Sequence, residues 1–488
     1  MYKFKRQPRA KQLEAFERSK DLRHFALLMR MRTGKSKIVI DTSCYLFTLG
    51  RINALVIIAP NGVHAKWAKD DVPKDVPDYV DHKVAVWRSG NKKAVEECEK
   101  LITPGNFLRI LCMNVEALSM DNSPAEKFLL RFLNATDAMM AIDESHTIGN
   151  PDAKRTKRVL KLGDRAAYKR ILTGTSTGGN VFKLYSQFSF LDTDIFGQSY
   201  FSFKHTYADI LPAEHPTVQA ILRRGARFTP TIVAQDEEGR PIWKNIDKLK
   251  EVIAPHTFTC RLEDCTDLPP TIYAKQLYEL EPKQKKIFDE LMTKARVEIG
   301  SESVTVAHKL TMELRLQQIL SGFLPSDTEE SMISLFSKPT DNPRIKALLT
   351  LLDAYEEEGE QAIIWCRFIP EIKILQEVLG DKCFVIYGAV KNREELKDRF
   401  MSGERPYMVM NVAVGGTGLD YSGVYNMIYY SNDYNFSNRD QSEARPLHVG
   451  QTRSLLITDI EAEDVETDKK ILFSTNSKRD LSEEFMEM

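Results

Sequence analysis

No stretch of the 488-residue chain approaches the ~18 consecutive apolar residues of a membrane span, and its start lacks the apolar core of a secretory signal. The sequence therefore predicts a protein of the cytoplasm with no membrane partner. Also missing is any C-x-x-C pair among the seven cysteines, so no zinc or redox motif is spelled out. Cys260 and Cys265 are the closest in sequence. Several others lie in apolar runs such as "LCM" and "IIWCRF" and read as small buried thiols. Excess charge of either sign is absent too: 68 Lys+Arg face 69 Asp+Glu. With a net charge of -1 the overall field cannot hold a polyanion, so a nucleic acid would need local basic patches.

Such patches are present. "MYKFKRQPRAK" carries Lys3, Lys5, Arg6, Arg9 and Lys11 without an acid, and Lys154 to Arg170 holds eight basic residues against Asp164 alone. Either run can equally be a solvated face. The 42% hydrophobic and 28% charged composition is that of a globular chain with a sizeable core. Short apolar runs recur in two sets. The first comprises "ALVIIAP" (54–60), "LRILCMN" (108–114), "AMMAIDES" (138–145) and "RILTGTS" (170–176). The second comprises "QAIIWCRF" (361–368), "CFVIYG" (383–388), "PYMVMNVAV" (406–414), "YNMIYYSND" (425–433) and "SLLITDI" (454–460). Unbroken apolar runs, rather than strict alternation, predict parallel strands covered on both faces, and two sets predict two α/β lobes. Between them the patterning is helical, as in "EPKQKKIFDELMTKARVEI", and 324–343 reads as a polar, proline-bounded linker. The expected division is 1–195 as a first lobe, 196–340 as a helical insertion and linker, and 341–488 as a second lobe.

Chemistry concentrates where strands end. In "LLMRMRTGKSKIVI" Gly34, Lys35 and Ser36 form the core of a phosphate loop, in which backbone N–H groups, a lysine and a hydroxyl receive a phosphate and its Mg²⁺. The full pattern asks for a glycine where Met29 stands. "AIDESHTIGN" places Asp143 and Glu144 at a strand's carboxyl end. There one acid can hold Mg²⁺ through water and the other can orient and deprotonate an attacking water. "ILTGTSTGGN" sets Thr173, Gly174 and Thr175 after another strand, able to sense a γ-phosphate. In the second lobe "NVAVGGTGLDY" and "NRDQSEARPLHVGQ" offer a glycine-rich turn, then Gln441 and Arg445 on a helix, as a distant arginine finger requires.

In this order the motifs resemble superfamily 2 helicases and, within them, the Swi/Snf-type DNA translocases. Gln12 in "PRAKQLEAF" resembles the glutamine that reads adenine, and "MRTGKS", with Thr33, resembles motif I. "IIAPNGVHAKWAKD" is similar to motif Ia with Pro60 and Trp67. "DESH" stands where the family has DEAH, and "LTGTS" where it has LTGTP. "VGGTGLDY", with Gly416, Thr417 and Asp420, resembles motif V, and "QSEARPLHVGQ" resembles motif VI. The likeness spans nearly the whole chain and, being confined to the core motifs, resembles compact phage and bacterial members.

The resemblance implies two RecA-like parallel-sheet lobes with a helical insertion between them, ATP and Mg²⁺ in their cleft, and nucleic acid across both. It implies ATP contacts from Gln12, Thr33, Gly34, Lys35, Ser36, Gly416, Asp420, Gln441 and Arg445. Catalysis would fall to Lys35, Asp143, Glu144 and Arg445, and Mg²⁺ to Ser36 and Asp143 through water. Coupling would fall to His146, Thr173, Gly174 and Thr175, and nucleic-acid contact to Trp67, Lys154, Arg155, Lys157 and Thr417. The expected activity is ATP-driven translocation on DNA, duplex before single strand. An RNA-dependent ATPase and a nucleotide-gated DNA-binding protein with weak hydrolysis are the alternatives. One departure bears on rate: where motif VI has a second arginine this chain has His448, a weaker partner for a triphosphate, so hydrolysis is expected to be slow or favoured at lower pH, unless Arg453 or another nearby basic residue fills the role. Ser176 in place of the motif III proline implies nothing further.

Overall fold

The computed structural model describes all residues except 1, 224, 227, 266–267, 301–305, 326–331, 413–418, 449, 464 and 487–488; of 294–300, 306–310 and 325 it describes the backbone alone. The chain divides into two compact units, Met1–Asp267 with Ser477–Met488, and Leu268–Asn476.

The first unit is built on seven parallel strands, β1 (His24–Met29), β2 (Ala54–Ala59), β3 (His82–Val86), β4 (Leu108–Asn114), β5 (Ala138–Asp143), β6 (Tyr168–Thr173) and β7 (Thr257–Cys260). They lie in the order β3-β4-β2-β5-β6-β1-β7. Side chains alternate across the pleat, so an unbroken apolar strand feeds two cores. Ala54, Val56 and Ile58 of β2 enter the core on one face, and Leu55, Ile57 and Ala59 that on the other. Met140 and Ile142 of β5 likewise oppose Met139 and Ala141. This double burial, worth about 1.5–3 kcal/mol for each large aliphatic side chain, is why these runs are uninterrupted.

The second unit repeats the plan. Strands β8 (Ile272–Tyr278), β11 (Ala362–Cys366), β12 (Cys383–Ile386), β13 (Tyr407–Asn411), β14 (Asn426–Tyr429) and β15 (Leu456–Ala462) form a parallel sheet. Their order is β12-β13-β11-β14-β15-β8. A short antiparallel pair, β9 (Phe323–Pro325) and β10 (Met332–Ser334), stands apart. Ile364 and Cys366 face one core, Ile363 and Trp365 the other. Two parallel α/β lobes are thus confirmed.

Residues 196–340 are shared out: β7 closes the first sheet beside β1, whereas β8 joins the second beside β15. The two compact units divide at Asp267/Leu268. The expected linker belongs to the second unit, where Asn342 donates to the Ser321 carbonyl at 2.9 Å. Cysteine chemistry differs from expectation. Cys44, Cys98, Cys112, Cys366 and Cys383 are buried thiols, but Cys260 and Cys265 are joined in a disulfide. No helix among the described residues is long and apolar enough to cross a membrane.

Candidate nucleotide site

Strands β5, β6 and β1 are neighbours, and being parallel they deliver their carboxyl ends to one edge of the sheet. "DESH" follows β5, "TGTS" follows β6 and "RTGKS" follows β1, so sheet topology alone gathers motifs more than a hundred residues apart. After β1 the chain turns through Arg32, in the left-handed region at φ 67°, and Gly34 at φ 87°, into the helix Lys35–Thr48. Gly34 has a second constraint: a Cβ there would lie 2.1 Å from Gln12 Nε2. Gln12 donates to the Thr33 carbonyl at 2.9 Å and accepts from its own helix start, Arg9 N, at 3.0 Å. Thr33 donates to the Arg30 carbonyl at 2.7 Å. Lys35, at the first turn, donates through Nζ to the carbonyls of Met29 (2.8 Å) and Arg30 (3.2 Å), and Ser36 is half-buried beside it. These contacts place an ammonium, a hydroxyl and a helix N-terminus together, the donor set a triphosphate needs.

The acids follow β5. Asp143 is buried, accepting from Trp67 Nε1 at 2.8 Å and from Glu144 N at 3.0 Å. Burial first, then the Glu144 carboxylate, pushes its carboxyl up to about 6; the Trp67 hydrogen bond and Lys35 oppose the rise. Glu144 occupies the left-handed region at φ 48°, ψ 56°, which turns its side chain toward β6. Its Oε2 lies 3.4 Å from Thr173 Oγ1 and 3.4 Å from His146 Nδ1. His146 Nδ1 is also 3.3 Å from Thr173 Oγ1, and Thr173 Oγ1 accepts from Thr175 N at 3.1 Å. Gly174 is pressed against motif I, where a Cβ would meet Met31 N at 3.2 Å. The expected coupling residues therefore interlock with the acids.

Trp67 requires a correction. Expected on nucleic acid, it is 1% exposed and spends its only polar atom on Asp143. Lys154, Arg155 and Lys157 do lie on the outer side of the helix Lys154–Gly163, whose Thr156, Val159 and Leu162 are buried. Lys154 pairs with Asp121 at 2.5 Å. The basic run is nonetheless not one surface: Arg170, 1% exposed, donates to the carbonyls of Ser19 (2.7 Å), Leu22 (2.8 Å) and Arg23 (3.1 Å).

Sequence reading missed several contributors. Arg9 donates through Nη2 to the Arg32 (3.3 Å) and Thr33 (3.2 Å) carbonyls of the phosphate loop. Its place three residues before Gln12, one helical turn, was the available signal. Ser145 and Gln187, both fully buried, bond to each other at 2.6 Å beneath the acids. No sequence spacing marks that pair.

In the second unit Gly416 and Thr417 lie outside the described residues. Asp420 accepts from Ser422 Oγ at 2.6 Å. Gln441 lies on the helix Phe436–Glu443, and Arg445 two residues beyond its end, donating to the Leu419 carbonyl at 3.3 Å. His448 Nδ1 is 3.2 Å from the Pro446 carbonyl. The helix is anchored by Arg439, which the sequence did not single out: it pairs with Asp459 (2.6 Å) and Glu443 (2.5 Å) and lies 3.5 Å over the Tyr429 ring.

Compared with known proteins, residues 8–322 match the SNF2-related domain and residues 343–450 the helicase conserved C-terminal domain. The chain is 23% identical over 325 residues to the putative ATP-dependent helicase/translocase YwqA of Bacillus subtilis, covering 64% of this chain and 32% of that protein. It is 22% identical over 433 residues to the uncharacterized ATP-dependent helicase MG018 of Mycoplasma genitalium, covering 87% and 36%. Among solved structures it is similar to the Sulfolobus solfataricus SWI2/SNF2 ATPase core in complex with dsDNA, at 20% identity and a TM-score of 0.41, over 99% of this chain and 95% of that one. The chain spans about a third of the length of these two curated relatives.

Proposed function

The chain belongs to the SNF2-related domain family, of superfamily 2, and from that premise we propose that it hydrolyses ATP and uses the energy to move along duplex DNA. The observation that carries the reading is the meeting of Lys35, Asp143, Glu144 and Thr173 at one sheet edge, with Asp143 held by Trp67 and Glu144 against Thr173, partners from other motifs. Lys35 would exchange its two carbonyl partners for phosphate oxygens. Glu144, restrained by Thr173 and His146, would take the proton of the attacking water. Gln12, buried against the phosphate loop, would tie base recognition to the loop's conformation.

The donor set fits Mg²⁺: a hydroxyl at a helix start (Ser36) and a carboxylate (Asp143) oriented by two hydrogen bonds. Mg²⁺ bound there with the triphosphate would neutralise phosphate charge during the displacement. Gln441 and Arg445 are proposed to serve the nucleotide as motif VI residues, and Lys154, Arg155 and Lys157 to contact the DNA backbone without regard to sequence.

Movement without strand separation is tested with a duplex carrying a third, triplex-forming strand. ATP-dependent release of the third strand while the duplex stays intact is expected. Release of a duplex strand instead, or stimulation of turnover by RNA alone, would overturn the reading. If His448 limits turnover, His448→Arg raises it; an unchanged rate removes that idea.

A further inference from the structure

The helix Lys183–Leu191 buries Leu184, Phe188 and Leu191 in the main core of the first unit. Position 187 falls on the same stripe, one turn from Leu184 and from Leu191, yet it is a glutamine with no exposed surface. An amide in an apolar slot costs several kcal/mol unless its hydrogen bonds are made. Here they are made. Nε2 donates to the Ser176 carbonyl at 2.8 Å and the Lys183 carbonyl at 2.9 Å. Carbonyls only accept, so the amide orientation is fixed by chemistry, and Oε1 must receive the Ser145 hydroxyl, 2.6 Å away. The neighbouring Ser186 grips the other end of the acidic turn, donating to the Ile148 carbonyl at 2.7 Å.

Ser145 directly follows Glu144, and Ser176 directly follows Thr175. We propose that Gln187, with Ser145, is a positioning pair for ATP hydrolysis: it locks the turn bearing Glu144 to the loop bearing Thr173 and Thr175 at a set spacing, without touching substrate. The inference rests on the hydrolytic reading above. Glu144 sits in a left-handed conformation that a side chain-bearing residue keeps only where its surroundings hold it, and the Ser145 bond holds the next residue of that turn.

Either substitution breaks the link to Ser145, and Gln187→Leu also deprives the Ser176 carbonyl of its donor. The test is a cycle of Ser145→Ala, Gln187→Leu and the double variant, with kcat and KM for ATP measured at saturating duplex DNA. Each single variant should lose about tenfold or more in kcat with KM within about twofold, and the double should lose no more than the worse single, because one link is broken only once. Amide hydrogen exchange over 144–148 and 173–176 should quicken in both single variants and little further in the double. Singles within about twofold of the parent kcat, or a double whose loss is the product of the two, would overturn the pair. Ser145→Ala deletes one oxygen only, so it keeps the test open should Gln187→Leu unfold. Exchange is read without turnover, so a parent protein that fails to hydrolyse ATP would refute the hydrolytic reading while the exchange pattern still decides whether the loops are locked.

Discussion

Replacing Trp67 with phenylalanine keeps an aromatic ring in a pocket where the side chain is 1% exposed and deletes one atom's hydrogen bond, the 2.8 Å contact to Asp143. A buried hydrogen bond to a charged group contributes about 1.5–3 kcal/mol, and each 1.4 kcal/mol is about tenfold. Asp143 would keep only the Glu144 N–H and would swing about its remaining anchor, so MgATP-dependent kcat/KM should fall about 10–100-fold. The indole has no exposed face with which to stack on a base, so duplex affinity without nucleotide should stay within about twofold. Steady-state ATPase assays give the first quantity and fluorescence anisotropy with labelled duplex the second. Intact kcat/KM with weakened duplex binding would refute the reasoning and restore Trp67 as a nucleic-acid contact.

Gly34→Ala combines a strained φ of 87° with a Cβ that would press on the Gln12 amide, so nucleotide affinity should drop at least tenfold by fluorescent-nucleotide titration; an affinity within twofold would show the loop can give. In the second unit, Arg439→Met should cost about 3–5 kcal/mol in urea unfolding, because Asp459 and Glu443 are left buried without their cation. A pH effect is expected at Asp41, beside Lys37 (2.9 Å) and the Tyr2 hydroxyl (3.0 Å), whose carboxyl is pushed by burial from 3.8 to about 6. The folded chain then holds a proton the unfolded chain has lost, so stability falls as pH rises between those values and is level above them. Relative to Asp41→Asn the parent should lose about 1 kcal/mol between pH 4.5 and 5.5; parallel stability curves would refute this.

What could be read in the sequence followed from burial. Strands such as β2 and β5, covered on both faces, must be apolar at every position and so announced themselves. β7 is only four residues long, and β8 leaves Ile272 and Tyr273 about half exposed at the sheet edge, so neither wrote an apolar run. Those two strands fall inside the expected insertion, one in each compact unit. Motif residues were legible because phosphate and Mg²⁺ chemistry admits few residue types at a strand end. Their partners were not: Trp67 to Asp143 and Gln187 to Ser145 join positions brought together only by the fold, and a buried indole and an exposed one look alike in a sequence. The eight-cation run misled for a related reason, since Arg170 satisfies backbone carbonyls in the interior rather than facing solvent.

The central claim is tested most directly by ATP turnover of the purified chain with no nucleic acid, duplex DNA, single-stranded DNA or RNA, beside Lys35→Ala and Glu144→Gln. Turnover stimulated most by duplex DNA and abolished by both substitutions is the predicted result. Tight ATP and DNA binding with no turnover on any polymer would contradict it and leave a nucleotide-gated DNA-binding protein.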